Sequence, residues 1–158
     1  MKAISNSFLV SFFKKAILRL LILTGLLLLL SLTARGQTVS ASEAREVIAA
    51  TLILEAGGET DPRGMSAVRE VIRNRASNKT EISVCLAPKQ FSCWNGKTTA
   101  EGIAKAKKHP KWPQALALVN EKTNYTSGAT HYHTLKVSPS WKNKLAKTAT
   151  IGNHIFYK

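Results

Sequence analysis

Acidic residues are scarce in this chain of 158: nine Asp and Glu stand against 23 Lys and Arg. None of the nine lies within residues 1–36. There are only two cysteines, no H-E-x-x-H, and no repeat or low-complexity linker after residue 42. The missing H-E-x-x-H removes the helical zinc-peptidase signature, and the missing repeats remove an array. Beyond residue 36 the chain has about 120 residues, enough for one core and not for two.

The first 36 residues carry Lys2, Lys14, Lys15, Arg19 and Arg35, with the apolar run LLILTGLLLLLSLTA from Leu20 to Ala34. A basic segment, an apolar stretch and small residues make the layout of a secretory signal. Ala34-Arg35-Gly36 and Val39-Ser40-Ala41 offer two cleavage sites. The alternative is a signal anchor over residues 16–34, shorter than a full span, with membrane association through that segment. The basic front end predicts that the remainder is translocated. Residues 37–158 then form the working domain, with 18 basic residues against nine acids, a balance of +9. Such a charge attracts polyanions; export turns the expectation from nucleic acid to anionic cell-wall polymer. Cys85 and Cys93, eight apart, predict a disulfide in an oxidising compartment, worth about 2.5 kcal/mol on the loop-entropy account.

Ser40 with Glu43 reads as a capping box for a helix starting near Ser42, filled by Val47, Ile48, Thr51, Leu52 and Leu54 and closed at Gly57-Gly58 by a left-handed glycine. Asp61-Pro62 restarts a helix with Asp61 as N-cap. Met65, Val68, Ile72 and Ala76 form its apolar stripe, with Arg63, Arg69, Arg73 and Arg75 mostly on the wet side. EISVCLAPKQFSCW shows no helical period and reads as a loop, with room for a short strand. Two more helices are expected at TAEGIAKAKK and PQALALVNEK. ATHYHTLKV and TATIGNHIFYK alternate and are rich in strand formers, with Gly152-Asn153 as a hairpin turn. The fold class is α+β: N-terminal helices followed by a short antiparallel sheet.

Two of the nine acids, Glu55 and Glu59, flank the Gly-Gly pair in LEAGGETDPRGM. A carboxyl against apolar surface keeps its proton more readily, and glycosidic cleavage needs such an acid. On a continuous helix Glu59 would stand about 5–6 Å away on the same face; otherwise it answers the dipole of the next helix. In GATHYHT, period two puts Thr130 and Tyr132 on one face and His131 and His133 on the other. Thr130 and Tyr132 offer hydrogen bonds and a stacking ring to a sugar. His131 and His133 offer zinc ligands, completed by His154 or Glu55, for a wall peptidase or amidase. Phe91 and Trp94 in QFSCW, and Trp141 in SPSW, read either as sugar platforms or as core. A third reading is a non-catalytic cationic wall-binding protein.

LEAGGETDPRGMSAVREVIRNRA, VC…KQFSCWN, GATHYHT…VSPSW and TATIGNHIFY resemble, in order, the motifs of the SleB-type cell-wall hydrolases, the spore cortex-lytic family. The resemblance covers roughly Ala49 to Tyr157. It implies a small lysozyme-like domain acting on peptidoglycan glycan strands. The expectation is a monomer with no cofactor, no metal and no nucleic-acid partner. It implies that Glu55 is the catalytic acid. Phe91, Trp94, Thr130, His131, Tyr132, His133 and Trp141 are similar to groove-lining parts of that family. Lytic transglycosylase chemistry is the outcome the resemblance favours, with hydrolysis resulting if Glu59 activates water. Gly57 departs from the family pattern, in which a basic or larger residue is frequent, and wall affinity is expected from the groove and the lysines.

Overall fold

The computed structural model describes residues 39–158. The expectations for the signal or anchor fall outside them; among the described residues no helix is long and apolar enough to cross a membrane. Helix α1, Ala41–Ala56, starts on the expected cap, with the Ser40 Oγ accepting from Glu43 N at 3.1 Å. From Val47 to Ile53 every residue of α1 is buried. A helix apolar on all sides has to be enclosed, and α2 (Gly64–Arg75), α3 (Glu81–Leu86), α4 (Thr99–Lys107) and α5 (Trp112–Leu118) pack around it. The one polar residue in that run, Thr51, is satisfied: its hydroxyl donates to Val47 O at 2.9 Å and accepts from Trp94 Nε1 at 3.1 Å.

Three local expectations change. Gly57 caps α1 at φ −62 and ψ −30, a right-handed conformation, so its lack of a side chain serves space and not handedness. A Cβ there would meet Ile53 O at 2.6 Å and the His109 ring at 3.3 Å. Helix α2 begins at Gly64, because Asp61 spends its carboxylate on Arg63, accepting from the backbone N at 2.9 Å and from Nη2 at 2.7 Å. The segment read as a loop contains α3, capped by Thr80, whose hydroxyl accepts from Ser83 N at 3.3 Å.

Strands β1 (His131–Thr134), β2 (Lys147–Ile151) and β3 (His154–Tyr157) form an antiparallel sheet in the order β1-β3-β2. Ile151 pairs with His154 across the expected Gly152-Asn153 turn, and Gly152 has φ 54. Pairing of Tyr132 with Phe156 and of Thr134 with His154 defines the inner face; His131 with Tyr157 and His133 with Ile155 define the outer one. Helix α2 joins the two halves. Its Met65, Val68 and Ile72 pack in the α1 cluster, while Ala67 and Val71 pack with Ala129, Ile151 and Phe156 on the sheet side.

The remaining face of α2 is not solvated as its arginines suggested. Arg69, only 6% exposed, donates to Val119 O at 2.7 Å and pairs with Glu81 at 2.8 Å. Arg73 donates to Glu121 O and Thr123 O, and Asn74 to Ala129 O at 2.8 Å. Glu70, 2% exposed, accepts from the Thr123 hydroxyl and Tyr125 N on one oxygen, and from Thr126 N and the Thr126 hydroxyl on the other. Burial alone would raise this carboxyl, but those hydrogen bonds outweigh it and hold its pKa below the usual range. The link between α5 and β1 is thereby tied to α2.

Glu70→Ala leaves buried donors unpaired, and a loss of about 3 kcal/mol is expected in urea unfolding at pH 7. Because the folded pKa is depressed, the Glu70 contribution is fully present above the unfolded value of about 4.3 and disappears as pH falls through the folded one. The parent should therefore lose more stability on acidification than the variant does.

Candidate active site

The side chain of Glu55 leaves the last turn of α1 and meets segments distant in sequence. Its Oε1 accepts from Cys93 N at 3.1 Å, in the 3-10 helix Ser92–Trp94, and its Oε2 accepts from the Tyr132 hydroxyl at 2.7 Å. The surroundings are therefore donors, where the sequence suggested apolar surface. An ionised carboxyl has about four acceptor positions, so each oxygen keeps capacity toward the groove. Burial and the neighbouring Glu55 charge raise the Tyr132 phenol well above its ordinary value, so it remains a donor. The Tyr132 ring is set by its inner-face neighbours, His154 edge-on at 5.1 Å and Phe156 at 5.6 Å.

Beside Glu55 runs a groove of about 450 Å³, lined by Glu55, Glu59, Thr134, Lys136, Asn153 and His154 among others. Glu59 is 7% exposed, with a neighbour against each oxygen. Oε2 accepts from Asn153 N at 3.0 Å. Oε1 lies 2.9 Å from His154 Nδ1, off the axis of a hydrogen bond, so that nitrogen has no directed partner. Burial pushes the His154 imidazole below its usual pKa against the pull of the Glu59 and Glu55 carboxylates, which favours the neutral ring near neutral pH. Gly152 has to be glycine on two counts: its positive φ, and a Cβ that would stand 2.3 Å from Glu59 Oε2. The Glu59 methylenes crowd Gly64, where a Cβ would come 2.8 Å from Glu59 Cβ.

The other predicted site residues separate into three places. Thr130 reaches the centre through its backbone, its carbonyl accepting from Arg75 Nε at 2.6 Å. Phe91 and Trp94 are core, 2% and 9% exposed, and do not present a ring face to a sugar. Trp94 lies against Gly102, where a Cβ would come 2.2 Å from Cζ3, and Phe91 lies under the Arg75 guanidinium at 4.9 Å. His131, His133 and Trp141 gather on the outer face, away from Glu55. Trp141, from the 3-10 helix Ser140–Lys144, packs on His131 at 5.2 Å and His133 at 5.8 Å, and His133 stacks on Tyr157 at 5.3 Å. His154 points to the inner face, so the three histidines do not converge; among the described residues no cluster of three His, Cys, Asp or Glu side chains is placed to hold a metal. Arg75 is the residue that sequence reasoning missed, and its spacing alone assigns it to a solvated face.

Residues 59–157 match the family model described as Cell Wall Hydrolase. The chain belongs to the cell wall hydrolase family. Two solved structures are similar to it. The catalytic domain of the Bacillus cereus SleB protein shares 25% identity, with TM-score 0.53 over 79% of this chain and all of that one. The catalytic domain of the germination-specific lytic transglycosylase SleB from Bacillus anthracis shares 23% identity, with TM-score 0.57 over 77% of this chain and 98% of that one. None of the curated proteins matches the chain. The helices-then-sheet α+β fold expected from the sequence is thus the fold of SleB catalytic domains.

The expected Cys85–Cys93 bridge is absent from this cell wall hydrolase: both cysteines are free. Burial pushes the Cys85 thiol up to about 12. Burial, and then the Glu55 charge, raise Cys93 as well. Disulfide formation proceeds through a thiolate, and neither sulfur readily becomes one here. Alkylation with iodoacetamide in denaturant without reductant should add two labels per chain. A chain that takes none until it is reduced would contradict the free-thiol structure.

Proposed function

We propose that this protein cleaves the glycan strands of peptidoglycan between N-acetylmuramic acid and N-acetylglucosamine as a lytic transglycosylase, with Glu55 as the catalytic acid and then base. The observation that carries the reading is the groove-side carboxyl of Glu55, oriented through both oxygens by Tyr132 and the Cys93 amide. Membership of the cell wall hydrolase family supports the substrate, and the SleB lytic transglycosylase of the same fold supports the reaction. Residues 1–36 act as signal or anchor, delivering residues 37–158 to the envelope, where the positive balance favours an anionic wall.

In the first step the Glu55 proton passes to the glycosidic oxygen as the bond from muramic C1 to that oxygen breaks, its electron pair leaving with the N-acetylglucosamine. Positive charge develops at C1 as an oxocarbenium-like species. Ionised Glu55 then removes the proton of the C6 hydroxyl, and O6 bonds to C1, closing a 1,6-anhydro ring. Glu55 ends protonated and no water is consumed. Glu59 favours this outcome over hydrolysis: it is buried, with one oxygen accepting from Asn153 N and the other packed against His154, so it has little access to water. Its part is to hold the β2–β3 turn against the groove.

Glu55→Gln keeps the shape and removes the proton, and should abolish release of soluble muropeptides, while the parent yields 1,6-anhydro ends by mass spectrometry. Reducing ends from the parent would instead make water the nucleophile and return Glu59 to the chemistry. Tyr132→Phe keeps the ring and deletes one donor; a drop of about 10- to 100-fold in kcat is expected. Unaltered turnover in that variant would remove Tyr132 from the account.

A further inference from the structure

Both segments that bond Glu55 hang from one guanidinium. Arg75, the last residue of α2, donates from Nε to Thr130 O at 2.6 Å and from Nη1 to Gln90 O at 2.9 Å. Thr130 stands two residues before Tyr132 and Gln90 three before Cys93, the two donors to Glu55. The guanidinium plane rests over the Phe91 ring at 4.9 Å, which fixes its position from a third side. The two carbonyls lie on separate segments, and a planar fork of fixed donors can span them in a way a point-like ammonium does not. No backbone hydrogen bond joins Gln90 to Thr130 directly.

We propose that Arg75 is a positioning residue for Glu55, holding the Cys93 and Tyr132 donors at one separation and keeping a positive charge near the carboxyl. This rests on Glu55 being the catalytic acid. Burial lowers the Arg75 pKa against the pull of the neighbouring Glu55 carboxylate, which marks it as part of the same electrostatic neighbourhood. Other groups around Glu55 are Tyr132 from β1, Cys93 from the 3-10 helix and His154 from β3, with Glu59 and Lys136 in the same groove. Among these, Arg75 is the cation hydrogen-bonded to both segments that bond Glu55.

The test is steady-state turnover of a soluble glycan-strand oligomer by the protein, Arg75→Lys, Arg75→Gln and Glu55→Gln, with thermal melts. Lysine keeps the charge and loses the fork: kcat should fall about 10-fold with KM little changed. Glutamine loses both: kcat should fall about 100-fold, again with KM little changed. Should Arg75→Gln not fold, kcat of a folded Arg75→Lys decides. A melting shift alone, with kcat per folded molecule unchanged, would make Arg75 a structural clamp and overturn the proposal. An inactive Glu55→Gln beside unaffected Arg75 variants overturns this inference only; an active Glu55→Gln overturns the reading beneath it.

Discussion

The carboxylate of Glu55 is bonded from 38 and 77 residues away, by Cys93 N and the Tyr132 hydroxyl. Those two hydrogen bonds require the end of α1, the 3-10 helix at Cys93 and strand β1 to meet within hydrogen-bonding distance. Charge-assisted bonds to a carboxylate are short and directional, so drift in any of the three segments is felt at the acid. Much of the fold outside α1 can be understood as what brings those segments together and keeps them there.

Helix α2 carries most of that task. Its apolar residues face two ways, toward α1 and toward the sheet. Its polar residues from Arg69 to Arg75 are spent on carbonyls and hydroxyls of the segment from Val119 to Thr130. That segment has little regular structure of its own, and buried backbone groups without a ladder need other partners. The Glu70 carboxylate shows the economy of the arrangement: one buried acid gathers donors from Thr123, Tyr125 and Thr126 just before β1 begins. Of the nine acids in the chain, Glu55, Glu59 and Glu70 are thus committed to the alignment of the two halves.

The helices and strands were readable where the pattern was long or alternating. The apolar run of α1, the Gly152-Asn153 turn and the two-faced HYH strand all stand as their periodicity implies. The place of Glu55 at the groove was legible because a carboxyl at the end of an apolar helix is conspicuous. The arginines of α2 were not, since amphipathic spacing distinguishes polar from apolar but not solvated from hydrogen-bonded. Phe91 and Trp94 were ambiguous for a similar reason: an aromatic beside a loop is core or platform according to what packs on it, here Gly102 and Arg75. The cysteine pair in an exported chain suggested a bridge, whereas both sulfurs are free thiols in the structure. Helix α3 was missed because six residues contain too few turns to show a period.

The sheet separates two surfaces of different character. The inner one carries Tyr132, Thr134 and His154 toward the groove; the outer one carries His131 and His133 packed with Trp141 and Tyr157. A catalytic role for Glu55 demands that the glycan lie on the inner side. The most direct measurement is a crystal structure of the Glu55→Gln variant with a bound glycan oligomer. The strand should lie in the groove between Glu55 and His154, with a glycosidic oxygen within hydrogen-bonding distance of the side chain at position 55. A strand lying along Trp141 on the outer face, with the groove empty, would contradict the catalytic role of Glu55.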